Sequence, residues 1–308
     1  VANLGVAFDI VGLALAEPGD TVTAERTDRP GVHIARITGD GGRLPLDAVK
    51  NTAGAAAATV LRLLGARGLA PADAGLQLAI TKGLPLASGL GSSAASAVAG
   101  AAAANAAFGG PLEAADLLEA ALDGEELVSG RHADNVAPAL FGGVVLSYGI
   151  AYAQMRPLPV PAQVYLALVT PAVEVPTALA RAALPREVSL KVLVAQTGGV
   201  ARLIDALYRD DVEALAAAME ADGVVEPARA HLMPHLAELR TAAKRAGALA
   251  LVISGAGPTL LAVCAAEQTA QAAAAAMHDA YRERGLDARA FTTRIAPHGV
   301  RLVAPPAP

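Results

Sequence analysis

Apolar positions along this chain recur in two rhythms. Short alternating or continuous apolar runs predict strands at Thr21–Arg26, Val32–Ile37, Leu76–Thr81, Val144–Tyr148, Val164–Thr170, Leu249–Ser254, Thr259–Ala265 and Ala288–Ile295. Longer stretches with helical spacing predict helices at about Thr52–Leu64, Ser92–Phe108, Leu112–Leu122 and Pro176–Leu184. Four more follow at Leu190–Tyr208, Val212–Asp222, Met233–Arg245 and Gln268–Arg284. Pro111, after Gly109-Gly110, falls near the first turn of the third helix. The charged, turn-rich Thr38–Ala48 and the Phe141-Gly142-Gly143 turn punctuate the first half. Proline-rich Met155–Ala162 reads as a linker between residues 1–155 and 163–303, and Ala304–Pro308 as a frayed tail. The order of elements predicts a two-domain α+β protein with antiparallel or mixed sheets.

Composition refines this picture. Over 308 residues, 54% are hydrophobic, yet much of that is alanine interrupted by Ser, Asn and Gly, as in Ala101–Ala107. Such runs make tightly packed helices rather than membrane spans. Val1–Asp9 carries Asn, Gly and Asp where a secretory leader needs a basic and then an apolar stretch, so no signal peptide is expected. A net charge of −5, 3% aromatic residues and no Trp argue against a nucleic-acid partner. The single cysteine, Cys264, lies in an apolar run; it excludes an internal disulfide, suits a reducing cytoplasm and reads as a buried small hydrophobe.

The chemistry concentrates in Gly83–Ala95, GLPLASGLGSSAA. It follows a predicted strand and runs into a helix. Gly89 and Gly91 allow close backbone approach, and Ser92 and Ser93 fall where free N–H groups and the positive end of the helix dipole attract an anion. Strand, Gly/Ser loop and helix together make a phosphate cradle. It is not the P-loop pattern, since no Gly-Lys-Ser/Thr follows.

Two further segments sharpen the reading. Asn3-Leu4-Gly5-Val6-Ala7-Phe8-Asp9-Ile10-Val11-Gly12 stands near the start, and Ser254-Gly255-Ala256-Gly257-Pro258-Thr259 near the end. With GLGSSA between them, in this order, the chain resembles the GHMP kinases, small-molecule kinases for galactose, homoserine, mevalonate and phosphomevalonate. His132-Ala133-Asp134-Asn135-Val136-Ala137-Pro138, Thr177–Pro185 and Glu226-Pro227-Ala228-Arg229 are similar to the homoserine kinase branch. There are departures: Ala7 stands where the branch has glycine, the family's lead-in before Asn3 is missing, and the loop between Gly130 and His132 looks a residue shorter than in some relatives.

The resemblance implies a ribosomal-protein-S5-like N-terminal domain and a ferredoxin-like C-terminal domain. It implies a cytoplasmic enzyme that uses ATP and Mg²⁺ to convert L-homoserine to O-phospho-L-homoserine, toward threonine. It carries over the family habit of homodimerisation, with no membrane partner. Pro85, Ala87, Ser88, Gly89, Leu90, Gly91, Ser92 and Ser93 would hold the nucleotide phosphates, and Asn51 would cap a helix beside the adenine. Ser93 and Glu125 would bind the metal, with Glu126, its neighbour, as the alternative to Glu125. Arg181 and Arg229 would fork onto the substrate carboxylate, Asp9 and Asp134 would face its ammonium, and Asn3, His132, Asn135, Thr177 and Gly257 would complete the substrate site. Asp134, Asn135 and Asn3 are the catalytic candidates; Asp134 is either a general base or part of a site that works by positioning alone. Lys82 reads equally as a phosphate contact or an exposed turn lysine. A mevalonate-type kinase and a non-catalytic metabolite-binding relative are the rival readings.

Overall fold

A computed structural model describes residues 1–303. The first half of the chain runs β1 (Val11–Leu13), β2 (Thr21–Thr27), β3 (Gly31–Thr38), α1 (Thr52–Ala66), β4 (Gly75–Thr81), α2 (Ser92–Ala107), α3 (Ala114–Glu126), α4 (Ala133–Phe141), β5 (Val144–Ser147) and β6 (Met155–Leu158). The second runs β7 (Tyr165–Pro171), α5 (Thr177–Ala182), α6 (Leu190–Tyr208), α7 (Val212–Met219), α8 (Val225–Arg229), α9 (Leu236–Arg245), β8 (Ala250–Ile253), β9 (Leu260–Cys264), α10 (Glu267–Arg282) and β10 (Ala288–Thr293).

In the N-terminal half β4 lies between β2 and β3, antiparallel to the first and parallel to the second. Leu76, Leu78 and Ile80 of β4 point into a core built with α1, α2 and α3. Alanine makes these helices pack backbone to backbone. A Cβ at Gly100 of α2 would overlap the Ala53 carbonyl of α1, and Ala53, Ala56, Ala57, Ala97 and Ala101 are all fully buried. The high hydrophobic fraction thus fills a narrow helix seam, and among the described residues no helix is long and apolar enough to cross a membrane.

The C-terminal half centres on an antiparallel sheet, β10-β7-β9-β8. Its alternating residues feed two cores. Leu166 and Leu168 of β7 pack with α6 and α7, while Ala167 and Val169 pack with α9 and α10. Burial on both faces explains why β8 and β9 read as continuous apolar runs. Cys264 sits in the second core, where burial pushes its thiol up to about 11. The opening residues Val1, Leu4, Val6 and Ala7 join the core shared with α6 and α7, so the first motif is wedged between the two halves.

The structure departs from the sequence reading in several places: strand β1 and helix α8 stand where no element is predicted, and α9 starts at Leu236 rather than Met233. Helix α3 starts at Ala114, not Leu112: Asn105 grips the backbone of Leu112 from both sides (3.0 and 3.1 Å), and the Asp116 carboxylate reaches back to accept from the Glu113 N–H at 3.3 Å. Residues 133–141 form helix α4 although Pro138 lies inside it. The presumed linker begins with strand β6, which pairs with β5 at the sheet edge, where Pro157 can be accommodated. The frayed-tail expectation for Ala304–Pro308 lies outside the described residues.

Candidate active site

The phosphate loop takes its shape from left-handed residues and from the third motif beneath it. Ala87, Gly89 and Gly91 have φ of 51°, 79° and 74°. A Cβ at Gly89 would overlap the Ser254 carbonyl, and the Ser254 hydroxyl donates to the Gly89 carbonyl at 2.9 Å. The Ser88 carbonyl accepts from the Thr259 N–H, and its hydroxyl donates to the Pro85 carbonyl. Leu90 anchors the loop in the core. Gly91 is the N-cap of α2 and supplies no capping side chain. The first-turn amides of Ser92 and Ser93 therefore form an anion-ready helix end. Ser92 turns its own hydroxyl back to the Leu84 carbonyl, at 3.3 Å.

Beside this helix end lies a buried carboxylate. Glu125, at the end of α3, is 3% exposed and accepts from the Ser93 hydroxyl at 2.9 Å and from the Ser129 hydroxyl. Burial pushes its carboxyl up to about 7, against the pull of those hydroxyls and of Lys82. Its second oxygen, Oε2, is buried and has no partner. Glu126 instead faces solvent near Arg131. Among the described residues no cluster of three or more His, Cys, Asp or Glu side chains could cage a metal. A hydroxyl plus one carboxylate with a free oxygen suits Mg²⁺, which keeps waters and shares substrate oxygens.

The first motif supplies the opposite wall. Asn3 donates to the Gly255 carbonyl at 2.9 Å and accepts from the Asp9 N–H at 3.1 Å, tying the first motif to the third. Asp9, itself left-handed at φ 59°, receives the two terminal nitrogens of Arg181 at 3.0 and 3.2 Å and lies 3.8 Å from His132. Burial and the nearby Arg181 charge hold the His132 pKa below its ordinary value, against the pull of Asp9. Arg181 Nε is buried with no partner. Arg229 is buried, donates to the Ala180 and Gly255 carbonyls at 3.0 Å each, and stacks over Phe8, which Arg181 also approaches. Thr177 lies one helical turn before Arg181 on α5. The methyl of Ala7 is accommodated, buried and outside the left-handed region.

Helix α4 closes the site. Asn135 Oδ1 faces Gly91, where a Cβ would come within 2.6 Å, and this buried oxygen has no partner. Asp134 is buried; desolvation, then the nearby Asp9 charge, pushes its carboxyl up to about 6. Gly257 is left-handed at φ 81° against Met233. Asn51 stands apart from this network: it caps α1 through the Ala53 and Gly54 amides and donates to the Pro45 carbonyl. Sequence reasoning passed over Asp20, Ser96 and Phe8. Lys82, left open as an exposed turn lysine or a phosphate contact, is buried against Asp20 and Ser96.

Comparison with known proteins bears on this arrangement. The GHMP kinases N terminal domain matches residues 51–143, and the GHMP kinases C terminal domain matches residues 203–283. The chain belongs to the GHMP kinase family and has its two-domain fold. A homoserine kinase of Chloroherpeton thalassium is 37% identical over 309 residues, covering 98% of this chain and 97% of that one. One from Xylella fastidiosa is 39% identical, covering 98% and 91%. A crystal structure of homoserine kinase from Cytophaga hutchinsonii has 41% identity and a TM-score of 0.90, covering 97% of this chain and 93% of its own. Within the GHMP kinases these similarities put the chain with the homoserine kinases.

Proposed function

We propose that this chain transfers the terminal phosphoryl group of ATP to the side-chain hydroxyl of L-homoserine, giving O-phospho-L-homoserine and ADP. One observation carries the reading: of the buried polar atoms without partners, Glu125 Oε2 and Asn135 Oδ1 lie beside the start of α2 and Arg181 Nε lies beside Asp9 of the first motif. Buried polar groups left unpaired cost free energy unless a ligand meets them. An acceptor toward a cation, an acceptor near the phosphates and a guanidinium donor toward a carboxylate match metal, hydroxyl and amino acid in turn.

In this reading residues 1–155 carry the nucleotide site and residues 163–303 carry the arginines. The amides at the start of α2 hold the ATP phosphates, with Asn51 beside the adenine. Ser93 and Glu125 hold Mg²⁺, which would neutralise charge developing on the phosphates. Arg181 and Arg229 hold the substrate carboxylate, while Asp9 and Asp134 face its ammonium. Asn135, whose amide cannot take a proton at neutral pH, orients the hydroxyl. Catalysis then rests on positioning and charge, with the hydroxyl proton leaving to phosphate or solvent.

Two measurements test this. With ATP, Mg²⁺ and a panel of homoserine, threonine, mevalonate and galactose, ADP release is expected to be fastest with homoserine. Preferred turnover of mevalonate would move the chain to another branch, and ATP binding without turnover would make it a non-catalytic relative. Asp134→Asn is expected to raise KM for homoserine, by removing a charge that faces the ammonium, and to keep most of kcat, because the carboxylate takes no proton from the hydroxyl. A fall of about 10²-fold or more would make Asp134 the general base.

A further inference from the structure

The phosphate loop is braced from below by a carboxylate that touches none of the proposed ligands. The β2–β4 ladder pairs Thr21 with Thr81, so the next step of the register sets Asp20 opposite Lys82. Both side chains are buried, at 0% and 2% exposure, and they form an ion pair. One Asp20 oxygen accepts from the Gly83 and Leu84 amides at 3.0 and 3.1 Å, where the loop leaves the sheet. The other accepts from Lys82 and from the Ser96 hydroxyl at 2.7 Å. Lys82 in turn donates to Ser96 at 2.7 Å and to the Ser92 carbonyl at 3.0 Å, where the loop enters α2. The carboxylate therefore grips one foot of the loop directly and the other through Lys82.

We infer that Asp20, acting through Lys82 and Ser96, is a positioning residue that sets nucleotide affinity. A buried ion pair is weak evidence of stability, because apolar residues of similar volume fill such sites at equal or lower cost. What this pair supplies is geometry. Between its two anchors the backbone must hold Ala87, Gly89 and Gly91 in left-handed conformations, and such segments persist only where the surroundings over-determine them. The pair brings no net charge, so its effect on phosphate binding runs through the placement of the loop amides.

The inference rests on the phosphate-loop reading above, and the experiment separates the two. Full-length wild type, Ser96→Ala and the double variant Asp20→Leu/Lys82→Met are compared by calorimetric titration with Mg·ADP, by steady-state KM values and by thermal melting. The double variant removes both charges together, so its melting temperature is expected to fall only by the modest cost of the Gly83 and Leu84 amides it leaves without an acceptor, while its Kd for ADP and KM for ATP rise about tenfold. KM for homoserine is expected to stay within about twofold, and Ser96→Ala alone to weaken ADP about threefold. A folded double variant that binds ADP as wild type does overturns the inference, as does an equal rise in both KM values. If the double variant does not fold, Ser96→Ala decides: unchanged ADP affinity overturns the inference, and a loss confined to nucleotide supports it. Wild type without affinity for ADP overturns the phosphate-loop reading itself, and the inference with it.

Discussion

Glu125→Gln is expected to lower kcat about a thousandfold, equivalent to about 4 kcal/mol of transition-state stabilisation, with KM for homoserine little changed. The substitution keeps the volume of the side chain and an oxygen for the Ser93 and Ser129 hydroxyls, but it removes the unpaired anionic oxygen that faces the site. Stability should move the other way. Burial raises the Glu125 carboxyl from 4.5 to about 7 in the folded protein. Across that window the fold binds a proton that the unfolded chain has released, so stability falls as pH rises. Glutamine has no such titration. In metal-free protein the melting temperature of the variant should therefore gain on wild type between about pH 5 and about pH 8. Steady-state kinetics at saturating Mg²⁺ and melting curves at several pH values check both arms. A variant with wild-type kcat would remove Glu125 from the metal site.

Arg181→Ala is expected to lower kcat/KM for homoserine by about 10²-fold, or about 3 kcal/mol, and to leave KM for ATP unchanged. The side chain forks onto Asp9 through its terminal nitrogens and still offers a buried, unpaired Nε. Losing it removes a donor to the substrate carboxylate and leaves Asp9 without its counter-charge. Arg181→Lys should rescue little, since a point charge cannot reproduce the planar fork. Comparing homoserine with the amino diol that lacks its carboxylate isolates the clamp. Wild type should strongly prefer homoserine, and the variant should nearly lose that preference. An equal loss on both substrates would mean that Arg181 acts only by holding Asp9.

Local signals made much of this molecule legible. Helix α6 spans Leu190–Tyr208 as read, because Ser189 caps its start, and α2 begins at Ser92 because Gly91 ends the loop. Glu125 was preferred to Glu126 in the sequence by its place in the motif, and the helix phase agrees, since Leu118, Leu122 and Glu125 share the buried face of α3. Helix α4 was hidden by Pro138, whose usual meaning as a breaker gives way in a nine-residue helix. Asp20 was out of reach for another reason. Its partner lies 62 residues away, and only the strand register brings the two together.

The alanine-lined seam of α1, α2 and α3 reverses the usual direction of mutational damage. In ordinary cores the common injury is a cavity, left when a large side chain is trimmed. Here Ala53, Ala56, Ala57, Ala97 and Ala101 have almost nothing to trim, and helix backbones meet where Gly100 faces the Ala53 carbonyl. Random drift can harm this region chiefly by adding atoms, and each added methylene pries apart helices that set the phosphate loop's exit, at a typical cost of about 1–3 kcal/mol. A deep substitution scan should find valine and leucine more damaging than glycine along this seam, the mirror image of the pattern at Leu166 and Leu168.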